Sequence, residues 1–122
     1  MKVLIADDSD KNLKLFKLIV TSMGHEAITA ENGEQCLKMA RELLPDIILM
    51  DIQMSVKDGI EAFIELRSHH ETSCIPVIAI TSYAMKGDRE NLLGMGFNEY
   101  IMKPIEKDNL VDTIKKIAER KH

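Results

Sequence analysis

The chain predicts a doubly wound α/β domain: five parallel strands in the order 2-1-3-4-5, with five helices packed on the two faces of the sheet. Three observations carry that prediction. Short apolar runs alternate strictly with helical segments along the sequence, the pattern of a parallel sheet crossed over by helices. The runs are too short for helices and mostly too uniform for half-exposed strands, which suits strands buried on both faces. The 122 residues make one domain, 1–122, large enough for a real core, and five-stranded domains of this size most often take that strand order.

Taken in order, Val3-Leu4-Ile5-Ala6 is the first strand, ending on Asp7-Asp8-Ser9-Asp10. A helix follows with Leu13, Phe16, Leu18, Ile19, Val20 and Met23 at apolar positions, and Gly24 stops it. His25 to Ala30 alternates more and carries Glu26 and Thr29, which places this second strand nearer a sheet edge. Asn32 caps the next helix with Gln35 three residues on, and Pro45 halts that helix after Leu44. Ile47-Ile48-Leu49-Met50-Asp51 is the central strand, followed by a loop from Ile52 to Lys57. After Asp58-Gly59 comes a helix with Ile60, Phe63, Ile64 and Leu66 inward, ending near His69-His70. Ile75 to Ile80 is the fourth strand, closing on Thr81; a helix from about Ala84 to Met95 stops at Gly96. Glu99 to Met102 is the fifth strand, then Lys103-Pro104. Leu110, Val111, Ile114, Ile117 and Ala118 mark the last helix. The expected architecture is thus flavodoxin-like, and no linker, repeat or low-complexity segment interrupts it.

Composition narrows the function. A formal net charge of −4 is mild and lacks the basic stripe of a nucleic-acid surface. No apolar run reaches membrane-spanning length, and the first one is too short for a signal peptide. Cys36 and Cys74 have no Cys or His at metal-ligand spacing and read as buried or incidental thiols of a cytoplasmic protein. No region for DNA binding or catalytic output is expected.

The strand ends hold the chemistry. In a parallel sheet, Asp7-Asp8, Asp51, Thr81 and Lys103 all leave the same edge, where ligands bind in open α/β folds. Each residue alone has a plain reading: a helix cap or turn for an aspartate, a β-branched strand residue for Thr81, a solvated charge for Lys103. Ser9 suffices as the cap of the first helix, which leaves the doubled acid unexplained. Together, three carboxylates, a hydroxyl and an ammonium suit a hard divalent cation such as Mg²⁺ and a phosphoryl group. Asp51 can then act as nucleophile, because carboxylates form acyl-phosphates.

With those residues in view, the sequence resembles a receiver domain of two-component response regulators across essentially its whole length. The matching pieces are Val3-Leu4-Ile5-Ala6-Asp7-Asp8, Asp46 to Met54, Asp58-Gly59, Thr81-Ser82-Tyr83-Ala84 and Tyr100-Ile101-Met102-Lys103-Pro104. The resemblance implies that Asp51 accepts a phosphoryl group from a phosphohistidine, and that Asp7, Asp8, Asp51 and the backbone carbonyl of Gln53 hold Mg²⁺, one of the acidic pair through water. It implies that Lys103 contacts the phosphoryl group, that its bond to Pro104 is cis, and that Thr81 and Tyr100 are the switch pair. It implies a histidine kinase or histidine phosphotransfer domain docking beside the first helix, and a downstream protein reading the face of the fourth helix, fifth strand and fifth helix. Neither nucleic acid nor membrane is expected to be bound directly, and the chain is expected to catalyse only its own phosphorylation and dephosphorylation. Ala84 to Glu90 resembles the fourth helix of receivers from hybrid kinases and of some stand-alone regulators.

There are departures. Ser55 stands where the family usually has Pro, and Lys57 where an apolar residue is usual; both bear on the loop after Asp51 and its surface. The alternatives are a Mg²⁺-dependent phosphohydrolase, a flavin-binding flavodoxin and a degenerate docking-only receiver. Gln53 stands where haloacid-dehalogenase-like enzymes carry a second Asp, Asp7-Asp8-Ser9-Asp10 would repel a flavin phosphate, and the full acidic set argues against degeneracy. Gln53 and Tyr83 occupy the family's variable positions over the line of water attack, and neither is an acid; a long-lived phosphoryl group is therefore expected, with Tyr83 either covering it or pointing outward as a partner contact.

Overall fold

The apolar run before Asp51 becomes the middle of the sheet. In the computed structural model, which describes residues 1–54, 56–82 and 88–120 (the side chain of Asp88 apart), five strands alternate with five helices. The strands are β1 (Lys2–Ala6), β2 (Glu26–Ala30), β3 (Ile47–Asp51), β4 (Val77–Thr81) and β5 (Glu99–Met102). The helices are α1 (Asp10–Ser22), α2 (Gly33–Leu43), α3 (Gly59–Ser68), α4 (Asp88–Met95) and α5 (Lys107–Arg120). All strand pairs are parallel, in the order β2-β1-β3-β4-β5, as the sequence predicts. Every residue of β3 and β4 is buried, whereas β2, at the edge, is mostly half-buried.

Successive strand residues face opposite sides, so one sheet feeds two cores. Val3, Ile5, Ile47, Leu49, Ile78, Ile80 and Ile101 meet α1 and α5 on one face. Leu4, Ala6, Ile48, Met50, Val77 and Ala79 meet α2, α3 and α4 on the other. Each fully buried aliphatic side chain contributes about 1.5–3 kcal/mol. Ile47, Ile48, Leu49 and Met50 have no exposure, so Asp51 sits at the end of the most firmly packed strand.

Local chemistry sets the helix ends. Ser9 Oγ accepts the Asn12 N–H at 3.3 Å, so Ser9 does cap α1. Asn32 Oδ1 accepts the Gln35 N–H at 2.9 Å, and Gln35 Oε1 reaches back to the Glu31 N–H at 2.8 Å. Asp58 caps α3 through the Glu61 N–H at 2.8 Å. The expected helix stops Gly24 and Gly96 take φ of +85° and +115°, conformations that residues with a Cβ adopt only under strain. Cys36 is buried, its thiol pushed up to about 12 by burial, with Sγ 3.9 Å from Met50 Sδ. Cys74 is exposed. Among the described residues no helix is long and apolar enough to cross a membrane.

Some boundaries and faces differ from expectation. β4 begins at Val77, two residues after Ile75. Pro76 has no N–H to give the ladder, although its carbonyl still accepts the Ile48 N–H at 2.9 Å. α2 ends at Leu43, with Leu44 as a left-handed cap at φ +46°; the α region is disfavoured for a residue preceding proline. Ile64, expected inward, is 57% exposed. The buried stripe of α3 is Gly59, Ala62, Phe63 and Leu66, and Ile64 lies off that stripe. Leu18 on α1 is 68% exposed. The helix expected from Ala84 is seen as α4 from Asp88; residues 84–87, like Ser55 and Tyr83, lie outside the described residues.

Candidate functional site

Two turns carry the acids to one place. β1 runs straight into Asp7, whose N–H donates to the Ala30 carbonyl at 3.1 Å. Asp7 is fully buried; its Oδ1 accepts the Ser9 N–H at 2.9 Å and its Oδ2 the Asn12 side-chain amide at 3.3 Å. Asp51 is 3% exposed, and its Oδ1 accepts the Gln53 N–H at 3.0 Å. Asp8 faces solvent. One carboxylate oxygen from each of Asp7, Asp8 and Asp51 lies within 4.8 Å of the others.

Lys103 arrives from the far side of the sheet. Its N–H donates to the Thr81 carbonyl at 2.8 Å, and its bond to Pro104 is cis. Its Nζ donates to Asp51 Oδ2 at 2.9 Å and stands 3.4 Å from Asp7 Oδ2. Thr81 is buried at the end of β4, in register with Met102. Tyr100 pairs in register with Ala79 and is half-buried against the core beneath α2, α3 and α4. It stands outside the carboxylate cluster, in the strand next to Thr81. Gln53 is exposed, and its Oε1 accepts the Ser82 hydroxyl at 3.0 Å.

The loop between β3 and α3 is held at both ends. Gly59 packs so closely that a Cβ there would collide with the Asp51 carbonyl and Ile52 Cα. The Gly33 N–H donates to the Lys57 carbonyl at 3.1 Å. Lys57, the departure from the family's apolar residue, pairs its ammonium with Glu34 on α2 at 3.1 Å and with Glu65 on α3. Val56 beside it is exposed at φ +68°.

Electrostatics define what the site can hold. Three carboxylates against one ammonium leave two negative charges, the charge of one divalent cation. Burial raises the Asp51 pKa and Asp7 adds to the rise, while the Lys103 and Gln53 hydrogen bonds oppose it. Burial lowers the Lys103 pKa, but bonds and charge from Asp51 and Asp7 outweigh burial, and the net direction is up. The directions agree: Lys103 sees two buried carboxylates, whereas Asp51 sees one cation, one buried anion and little water. A cluster of oxygen donors with surplus negative charge fits Mg²⁺, a hard ion that binds through few carboxylates and retains waters.

The sequence brought Asp7, Asp8, Asp51, Thr81 and Lys103 to this edge correctly, with Gln53 on the adjoining loop. Two side chains escaped it. Asn12 reads as an ordinary polar residue in the first turn of a helix; its signal is only that it lies five residues after a buried acid. Ser82 simply follows Thr81.

Comparison with known proteins agrees with this geometry. The model of the response regulator receiver domain matches residues 3–115. The polar-differentiation response regulator DivK of Brucella anthropi is 43% identical over 113 residues, covering 93% of this chain and 92% of that protein. A response regulator receiver domain from Francisella superposes with a TM-score of 0.92 at 26% identity, over 99% of this chain and 98% of that one. The receiver domain of a sensor histidine kinase from Pseudomonas aeruginosa, solved with a magnesium ion coordinated in its active-site cleft, has a TM-score of 0.87 at 31% identity. It covers 96% of this chain and 97% of its own.

Proposed function

The chain belongs to the response-regulator receiver family, and on that footing we propose that it is a Mg²⁺-dependent phospho-acceptor switch with Asp51 as the acceptor. The observation that carries this is the buried Asp51 carboxylate with Lys103 Nζ at 2.9 Å and two further acids alongside. An Asp51 oxygen attacks phosphorus of a phosphohistidine in line. The new P–O bond forms as the P–N bond breaks, and its electron pair returns to the imidazole, which takes a proton from solvent. Lys103 turns from the carboxylate to the incoming phosphoryl oxygens. Asp7, Asp8, Asp51 and the Gln53 carbonyl would hold Mg²⁺, and the ion would supply positive charge at the site.

Phosphorylation replaces the single charge of the Asp51 carboxylate by a phosphoryl group carrying about −1.5 to −2, a net gain of about one negative charge. The added group offers Thr81 a hydrogen-bond acceptor and biases a two-state equilibrium that Tyr100 shares. The face of α4, β5 and α5 presents the result to a downstream protein. The donor is a histidine kinase or phosphotransfer domain seated beside α1. Leu15 and Leu18, 41% and 68% exposed, line a groove of about 240 Å³ with Ile105, just after Pro104. That groove reaches Ile105 on the loop after Lys103, and this reading seats a donor helix there. Gln53 in place of a second acid fits self-dephosphorylation alone rather than hydrolysis of other phosphate esters.

The test is acetyl phosphate with Mg²⁺, read by intact mass. Wild type gains one phosphoryl group and Asp51→Asn does not. Gain at the wild-type rate by Asp51→Asn overturns the assignment.

A further inference from the structure

Resting on the reading of the acidic cluster as a Mg²⁺ site, we infer that Asn12 is a positioning residue that keeps Asp7 available to the cation against competition from Lys103. Asp7 is fully buried. Its Oδ1 is fixed by the Ser9 N–H at 2.9 Å. Its Oδ2 lies between two donors, the Asn12 amide at 3.3 Å and the Lys103 ammonium at 3.4 Å. An ionised carboxylate only accepts, so the Asn12 nitrogen faces it.

The two donors differ in what they do to a cation. An ammonium on Oδ2 neutralises the charge that Mg²⁺ needs and repels the ion. A neutral amide occupies one lone-pair direction, fixes the carboxylate plane and leaves its charge in place. Asn12 is in turn held at the start of α1, where its N–H donates to Ser9 Oγ at 3.3 Å. Ser9 and Asn12 thus clamp both oxygens of Asp7 to the helix. Without the amide, the carboxylate turns toward Lys103 and the cation must break a stronger ion pair to bind.

Alanine is the best helix former, so Asn12→Ala retains α1. Mg²⁺ affinity is measured by calorimetric titration of wild type, Asn12→Ala, Lys103→Met and the double variant, with urea midpoints in EDTA alongside. Groups that orient metal ligands typically account for about 10–100-fold in affinity, and a weakening of about tenfold is expected for Asn12→Ala. In the Lys103→Met background the competitor is gone, and the loss should shrink toward none. Unchanged affinity in Asn12→Ala, with wild type saturating normally, overturns the inference and leaves the metal site standing. An equal fold-loss in both backgrounds overturns it too, because that marks general loosening of α1. A wild type that never saturates removes the metal site and the inference together.

Discussion

Asp51→Asn separates an acidic site from a structural ion pair. Breaking an ordinary buried ion pair by removing one partner destabilises by about 3–5 kcal/mol. Here Asp51 also faces two anions. At the outer separation of 4.8 Å and an effective dielectric constant of about 20, each carboxylate repels Asp51 by about 3.5 kcal/mol. Asp8 is exposed, so water screens its share to about half, and the total repulsion is about 5 kcal/mol. Lys103 at 2.9 Å attracts by about 6 kcal/mol on the same basis. These nearly cancel, and the burial that raises the Asp51 pKa opposes the anion further. Asparagine keeps an oxygen for the Gln53 N–H. In EDTA at pH 7, Asp51→Asn should therefore be as stable as wild type, or more stable by about 1–2 kcal/mol. The assay is urea unfolding, with equal m-values required for the comparison.

The pH dependence follows from the same shift. An acid whose folded pKa is raised contributes stability that is complete below its unfolded pKa and lost as pH rises through the folded one. The advantage of Asp51→Asn should thus grow as pH rises through that window and close in acid. Mg²⁺ reverses the order: at one hundred times its dissociation constant a ligand adds about 2.7 kcal/mol, and wild type should gain more of it than the variant. A metal-free loss of about 3 kcal/mol or more in Asp51→Asn would mean that the Asp51–Lys103 pair serves stability, and the reasoning would fail.

Three further outcomes are expected. Gly59→Ala forces a Cβ against the Asp51 carbonyl, and overpacking of this kind costs about 1–3 kcal/mol; an unchanged urea midpoint would show that α3 can shift away freely. Leu18→Lys should slow phosphotransfer from a kinase or phosphotransfer domain about tenfold or more, the scale of a buried apolar anchor at an interface, while labelling by acetyl phosphate stays at the wild-type rate. Equal slowing of both reactions would place the defect in the site and not in docking. Tyr83→Ala should shorten the phosphoryl lifetime once the donor is removed, and equal decay of the two proteins, followed by mass, would leave Tyr83 as a partner contact.

Much of this protein was legible in the chain because its signals are local or set by topology. Uniform apolar runs specify buried parallel strands, and a parallel sheet brings every strand end to one edge. That is enough to gather Asp7, Asp8, Asp51, Thr81 and Lys103 from positions far apart in sequence. The caps Ser9 and Asn32 and the stops Gly24 and Gly96 act within a few residues of themselves, so they too could be read directly. The tertiary structure decided matters that depend on which atoms meet. Ile64 reads as core by its chemistry, but the close seating of Gly59 on Asp51 fixes the roll of α3 and turns Ile64 outward. Lys57 became a link between α2 and α3 only when the fold brought Glu34 and Glu65 to it. Whether Lys103 pairs with Asp51 alone or is shared with Asp7, and whether Asn12 supports Asp7, turn on separations of a few tenths of an ångström. Periodicity and composition carry no distances, so the sequence determined which groups gather at the sheet edge, while packing set how their charges are apportioned.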